Sequence, residues 1–476
     1  MQVIKKLKRK NQVIYIVSNT KTLFLINKKT IRSSERMVFF IPSYSKNTMD
    51  YKQTIDFLFS SFPMFEKIGG GAYHPGLERI EELCEHFGNP QKKIKTIHIA
   101  GTNGKGSSSH LIASVLQSAG YKTGLYTSPH LKEFTERIKI SGEEISKEAI
   151  TDFVNQHLVF FKSFQASFFE ITTLMAFYFF AQEDVDIAVI ETGLGGRLDA
   201  TNVLNPEVVL ITNISFDHTQ YLGNTLDKIA FEKAGIIKPG VSVVIGEKQK
   251  ETSSVFEKVA KSKNAFLIYA EDFCKLEHVS FSGGKMKVDV ALLNHPSLKE
   301  VEVGLGGFYQ EKNIKGVTTV LELLKQKGWY ISETHIRKGF SEVVERTNLK
   351  GRWYFLQQNP AVLCDTAHNE AGIKFITEQL KTLSYHNIYV VLGMVKDKEI
   401  EKILTLLPKE AWYFFTKPSI PRALETTVLF EKAQQAGLKG EVVETVAEAL
   451  SKAKMKAGKD DLIYVGGSTF VVAEVL

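Results

Sequence analysis

The segment Ala100-Gly101-Thr102-Asn103-Gly104-Lys105-Gly106-Ser107 joins residue types that together can hold a triphosphate. Closely spaced glycines let successive backbone N–H groups turn towards one anion, and the start of a following helix adds its partial positive charge. Lys105 is placed to reach the β- and γ-phosphates, and Ser107 supplies the hydroxyl expected beside a bound Mg2+. The spacing departs from the usual nucleotide loop: two residues instead of four separate Gly101 from Gly104, and Gly106 stands before Ser107. A glycine-rich turn without a ligand is the competing reading. The flanks favour the nucleotide, because Lys95–Ala100 (KTIHIA) reads as a buried strand and Ser107–Ser118 as a helix closed by Gly120.

Other polar residues fall at the ends of further strand-like runs. Lys122–Tyr126 is followed by Thr127-Ser128-Pro129-His130, Val185–Glu191 by Gly193-Leu194-Gly195-Gly196-Arg197, and Val208–Ile214 by Ser215-Phe216-Asp217-His218. Ligands of open parallel sheets bind outside the carboxyl ends of the strands. An acid such as Glu191 closing a Val/Ile run stands where a phosphate-bound Mg2+ needs an oxygen donor. Alone, Glu191 reads equally as a helix-capping acid and His218 as a surface histidine. Their joint placement on one sheet edge points to an ATP–Mg2+ enzyme.

The elements that position these groups alternate short β-branched runs with longer amphipathic stretches, including a helix around Ile171–Phe180, and so predict a parallel sheet covered by helices on both faces. Period-two alternation across Cys274–Glu302 predicts an antiparallel excursion. The α/β rhythm resumes after Gly351 with strands at Tyr354–Gln357, Val362–Cys364, Ile388–Leu392 and Asp461–Gly466 and a helix from Ala371. A polar run over Arg346–Gly351 marks a boundary, which divides the chain into a basic extension without fixed structure (1–48), an ATP-binding domain (49–347) and a smaller α/β domain (348–476).

With 476 residues, 43% hydrophobic and 24% charged, the chain is long enough for two or three globular domains, and low-complexity or fibrous readings are excluded. No run of eighteen uncharged apolar residues occurs, so no membrane helix is expected. Cys84, Cys274 and Cys364 lie far apart, which excludes a disulfide scaffold or a Cys-rich zinc site and suits a reducing, cytoplasmic compartment. Residues 1–48 hold eleven Lys and Arg against the single acid Glu35, a net of +10, so the remainder of this +7 chain carries −3. The basic character belongs to the extension, and the body offers no bulk surface for nucleic acid. The extension is expected to be upstream sequence ahead of a start near Met49.

The ordered motifs GTNGKGS, TSPHL, ETGLGGRLDATN, SFDHTQYLG, EKAGIIKPG and DTAHN, with DYKQTIDFLFS and HPGLERIEELCEHFGNPQKK before them, resemble the folylpolyglutamate synthase/dihydrofolate synthase family, the folate branch of the Mur ligase superfamily. The resemblance runs from Met49 to Leu476. It implies a P-loop-containing, Mur-ligase-like central domain with a mostly parallel sheet and a smaller Rossmann-like C-terminal domain. It also implies a monomeric ligase that joins L-glutamate to dihydropteroate or a folyl(poly)glutamate with ATP, through an acyl phosphate.

Carried over by motif, Asn103, Gly104, Lys105, Gly106 and Ser107 hold the ATP phosphates, and Ser128, Glu191 and His218 are Mg2+ ligands. Lys233 corresponds to a carbamylated lysine supporting a second Mg2+. By its surroundings (LDKIAFEKA) it reads instead as an exposed lysine paired with Asp227 or Glu232. Arg352 matches an ATP-phosphate arginine, Asp365 a nucleotide-contacting acid and Asn313 a residue near the adenine. Lys105, Lys233, His218 and Arg352 are the expected catalytic set. The pteroyl pocket is implied at Tyr73, His74, Pro75, Thr127, Ser167, Leu198, Asp199 and Ala200. Two positions depart from the family pattern: Phe308-Tyr309-Gln310, where many members have His-Gln, and Asp397-Lys398-Glu399, where Asp-Lys-Asp is common. A peptidoglycan Mur ligase and a P-loop switch without ligase chemistry are the alternatives.

Overall fold

The computed structural model describes residues 3–9, 12–18, 48–63 and 76–476. Two strands, Val3–Arg9 and Gln12–Ser18, pair antiparallel, with Val3 opposite Ser18 and Arg9 opposite Gln12. The β-branched content of the second stretch (Val13, Ile14, Ile16, Val17) favours strand.

Met49–Leu476 packs as one unit built on two large sheets. The first has eight strands: β1 (Thr96–Ala100), β2 (Thr123–Tyr126), β3 (Ile138–Ile140), β4 (Glu143–Glu144), β5 (Ile187–Glu191), β6 (Val208–Ile211), β7 (Ser242–Ile245) and β8 (Leu267–Tyr269). Their spatial order is β8-β7-β6-β1-β5-β2-β3-β4. All pairings from β8 to β2 are parallel; only β3 and β4 are added antiparallel at one edge.

Alternate residues of each strand face opposite layers. Along β5, Ile187 and Val189 join a core with Leu111 and Val115 of helix α1 (Lys105–Ser118), whereas Ala188 and Ile190 join a second core with Phe177 of helix α2 (Phe168–Gln182). Burial on both faces explains why the central strands read as unbroken apolar runs. The expected antiparallel excursion is a three-stranded sheet of Cys274–Ser282, Lys285–Leu292 and Leu298–Val303.

The second sheet has six strands: β9 (Tyr354–Gln358), β10 (Ala361–Cys364), β11 (Ile388–Leu392), β12 (Trp412–Phe415), β13 (Lys439–Val442) and β14 (Leu462–Gly466). Their order is β9-β10-β14-β11-β12-β13, with all pairings parallel except β9 with β10. The chain passes from one sheet to the other through a helix ending at Thr347, then Asn348 and Gly351 at positive φ.

Candidate active site

The phosphate loop leaves the buried end of β1 and enters α1, whose N-cap is Gly104. Two glycines there are conformational requirements. Gly101 has φ +147° and Gly104 φ +84°; a Cβ on the first would lie 1.8 Å from Thr212 Oγ1, and on the second 2.2 Å from Asn313 Oδ1. The loop is tied to β6 and its continuation: Thr212 Oγ1 donates to Asn103 O at 2.6 Å, and Asn103 N donates to Asn213 Oδ1 at 3.0 Å. Lys105 folds back so that its Nζ donates to the carbonyls of Gly101 (3.1 Å) and Thr102 (3.2 Å).

Three charged groups gather on this loop. Glu191 ends β5 at 4% exposure, and burial pushes its carboxyl up to about 7 in spite of Lys105 and Arg352 nearby. Its acceptor capacity is little used: Ser128 N approaches Glu191 Oε2 only at 3.4 Å. A Cβ on Gly106 would stand 3.7 Å from both Arg352 Nη2 and Glu191 Oε2, which places the arginine of the second sheet's entry strap over the loop.

Lys233 lies in helix α3 (Leu226–Ala234) at 3% exposure, with Nζ donating to Gly101 O at 2.9 Å. The expectation of an exposed lysine paired with Asp227 or Glu232 is therefore corrected: Glu232 pairs with Arg197 instead. The helical period contains the reason, because Lys233 follows Ile229 and Ala230 by four and three residues and shares their buried face. Burial, aided by Lys105, pushes its ammonium down to about 7.

Gln310 and Asn313 open helix α4 (Gln310–Gln326), which meets the start of α1. Gln310 Nε2 donates to Ser107 Oγ at 3.2 Å, and Asn313 Nδ2 donates to Gln310 Oε1 at 2.7 Å. Asp365 accepts from Tyr309 Oη (2.6 Å), Trp353 N (2.7 Å) and Ala367 N (2.8 Å), so the tyrosine at the His-Gln departure is bonded to the predicted nucleotide acid.

A cavity of about 250 Å³ opens beside the loop. Of the predicted residues it gathers Lys105, Ser128, Ser167, Leu198, Asp199, Ala200, His218 and Lys233, together with Gly101 and Thr102. Asn103, Gly104, Gly106, Ser107, Glu191, Asn313, Arg352 and Asp365 surround the phosphate loop outside that lining, and Thr127 is not among the described residues that line it. Tyr73, His74 and Pro75 lie outside the described residues.

The lining also holds Glu170, Asp217, His368, Lys398, Arg422, Ser468 and Phe470, to which sequence reasoning gave no role. All but Glu170 and Asp217 belong to the second lobe. Lys398 Nζ lies 2.7 Å from Asp217 Oδ1 and His368 Nε2 3.4 Å from Asp217 Oδ2. Although burial works the other way, the His368 hydrogen bond and the Lys398 cation hold the Asp217 carboxyl well below its usual range. Burial pushes the neighbouring His218 down to about 4, so its imidazole is neutral near pH 7. Ser468 and Phe470 stand in the segment GGSTF that follows the last strand; Arg422 stands in an irregular stretch and had no sequence signal.

The fold and this site are those of an amide-forming, ATP-using class. The Mur ligase middle domain model matches residues 99–321, and the Mur ligase, glutamate ligase domain model matches residues 351–469. The dihydrofolate synthase/folylpolyglutamate synthase of Bacillus subtilis (strain 168) is 33% identical over 413 residues, covering 84% of this chain and 94% of the relative. The folylpolyglutamate synthase of Lacticaseibacillus casei is 33% identical over 438 residues, covering 90% and 98%. Among solved structures, Escherichia coli FolC in complex with DHPP and ADP superimposes with TM-score 0.79 at 28% identity, covering 90% of this chain and 97% of that one. The chain belongs to the dihydrofolate synthase/folylpolyglutamate synthase family of the Mur ligases, and is an ATP-dependent acid–amino-acid ligase.

Proposed function

We propose that this enzyme joins L-glutamate to the carboxylate of dihydropteroate, of a folyl(poly)glutamate, or of both, acting as a cytoplasmic monomer. One observation carries the reading: a phosphate loop and a second-lobe rim bearing Lys398, Arg422 and Ser468 face one cavity, so an activated acid and a dicarboxylate amino acid can meet there.

A carboxylate is a poor electrophile. Attack of the acceptor's carboxylate oxygen on the γ-phosphorus of ATP forms an acyl phosphate and releases ADP. The glutamate amine then attacks the acyl carbon, phosphate leaves with the C–O bonding pair, and the amine nitrogen loses a proton to give the amide. For the first step the protein supplies positioning and charge. Lys105 and the N–H groups of Gly104–Ser107 hold the β- and γ-phosphates, with Asn103 beside them, and Arg352 neutralises charge on the transferring group. Asn313 lies at the adenine side and Asp365 fixes the strap that carries Arg352. Ser167, Leu198, Asp199 and Ala200 flank the acceptor, with Tyr73, His74, Pro75 and Thr127 as further candidates.

The donor set suits Mg2+. Glu191 is a buried carboxylate with spare acceptor capacity, and Ser128 offers an oxygen beside it. Among the described residues no three His, Cys, Asp or Glu side chains cluster at metal-binding spacing, and Mg2+ beside a nucleotide takes much of its shell from phosphate and water. Glu191, Ser128 and the neutral His218 would hold it, and when bound it neutralises the phosphates' charge. Lys233 is buried and close to half neutral near pH 7, the form that can add CO2 at Nζ, lose a proton and become a carbamate. That anion would provide an oxygen donor for a second ion.

The test is an assay with ATP, Mg2+ and labelled glutamate, using dihydropteroate or tetrahydrofolate as acceptor. Incorporation with either supports the reading. ADP release independent of glutamate would favour a nucleotide switch, and activity on UDP-muramyl substrates alone would favour a peptidoglycan ligase. A 13C signal from a carbamate after equilibration with labelled bicarbonate, absent in Lys233→Gln, checks the lysine.

A further inference from the structure

Behind the acceptor side of the cavity lies a histidine that the steps above do not use. His98 stands in the middle of β1 at 0% exposure, between Ile97 and Ile99. Its Nε2 is 2.8 Å from Thr201 Oγ1, which is itself 2.5 Å from Asp199 Oδ1. Burial raises the Asp199 carboxyl, and the hydrogen bonds it accepts from Thr201 and the loop N–H groups oppose that shift; as a carboxylate it only accepts, so the Thr201 hydroxyl donates to it and the hydroxyl oxygen accepts from His98 Nε2–H. Among the described residues the ring's other nitrogen, Nδ1, has no hydrogen-bond partner, which agrees with that tautomer. Burial pushes the imidazole down to about 3, so the ring stays neutral around pH 7 and the direction of the chain is fixed.

Asp199 also accepts from Thr201 N at 3.0 Å and Leu194 N at 2.8 Å. The Gly193 backbone N–H also turns towards it, so the chain itself holds the carboxylate in one orientation before any ligand arrives. The loop is pinned from below: Asn202 Nδ2 donates to Arg197 O and Gly235 O, and Lys238 Nζ donates to Asn202 O. Asp199 nevertheless lines the cavity between Leu198 and Ala200.

We infer that His98 is a positioning residue which, through the Thr201 hydroxyl, sets the orientation of the Asp199 carboxylate that receives an N–H donor of the acceptor's heterocycle. This rests on the proposed function, since it takes a pteroyl ring as the group at Asp199. The relay runs along the acceptor side of β1 and does not touch Lys105 or the loop N–H groups, so it acts on acceptor affinity and not on nucleotide affinity.

The test titrates the wild-type enzyme and the variants Thr201→Val, Thr201→Ser and His98→Gln with dihydropteroate, with tetrahydrofolate and, separately, with ADP. Thr201→Val keeps the β-branched shape and removes the hydroxyl. It is expected to weaken pteroyl binding about tenfold, the scale of one hydrogen bond to a charged group, and to leave ADP affinity within about twofold. Thr201→Ser should restore binding, and His98→Gln, whose amide can donate in place of Nε2–H, should fall between. Wild-type affinity in Thr201→Val, or a matched loss of pteroyl and ADP binding, would overturn the positioning role alone. A wild-type enzyme with no affinity for either pteroyl compound would overturn the proposed function and this inference together.

Discussion

On the proposed function, Lys105 is the side chain whose removal should cost the reaction most, because it is the loop's own cation. In Lys105→Ala, turnover measured by labelled-glutamate incorporation is expected to fall by about 10²–10³, the usual loss when one preorganised charge-stabilising group is removed. An unchanged rate would remove the phosphate-loop role. A second residue-scale expectation concerns acid. His98 is held near 3, and His110 and His130 well below 6.5, all chiefly by burial. Their folded pKa values lie below the unfolded value, so between about pH 6.5 and 3 the unfolded chain binds protons that the folded chain does not. Stability is therefore full above pH 6.5 and is lost as pH falls. By pH 5 His98 alone removes roughly 2 kcal/mol, and His110 and His130 act in the same direction. The urea midpoint should drop between pH 7.5 and 5, and by less in His98→Gln; equal midpoints at both pH values would contradict this. Residue types at strand ends pointed to the loop, Glu191 and His218 as candidates. The burial of Lys233 was present in the sequence too, in its spacing from Ile229, but its charge argued for solvent and obscured it.

At the scale of elements, the junction of β1 and α1 sets the loop's shape, and Gly104, like Gly101, leaves no room there for a side chain. In Gly104→Ala the new Cβ meets Asn313 Oδ1 in a backbone conformation L-residues avoid. The expected cost is about 1–3 kcal/mol, read as a lower denaturation midpoint together with weaker ADP binding; wild-type affinity for ADP would show that the loop tolerates a side chain. Elements of this kind were legible because the signals are local. β-branched runs gave the central strands, period-two alternation gave the sheet of 274–303, and the apolar segment Ile171–Phe180 lies inside α2. What local pattern could not supply was the pairing order, since non-sequential neighbours such as β1 with β5 and β6 depend on how the helices cross over.

For the whole molecule, the active site is a contact between lobes. Asn103 Nδ2 and Asn369 Nδ2 each donate to the other's Oδ1, at 3.3 and 2.9 Å, and Lys398 reaches Asp217 across the cavity. Both partners of that ion pair are about nine-tenths buried, so breaking it leaves a buried charge uncompensated, a loss of about 3 kcal/mol or more for the closed arrangement. X-ray scattering should show a smaller radius of gyration with ATP and folate than without, as the lobes close about residues 346–351, and Lys398→Met should close less completely. Equal radii in all states would argue against closure. The sequence by itself determined the chemistry on offer, namely a phosphate loop, an acid and a histidine at the ends of apolar runs, and a second α/β lobe, because glycine spacing and hydrophobic periodicity act over a few neighbouring residues. Only the tertiary structure decided that Lys233 is desolvated against the loop, that Arg422 reaches the cavity, and that Asp217 answers to Lys398 and His368. Those facts depend on which distant segments share a wall, and in a low-dielectric interior the partner across the wall sets what each charge can do.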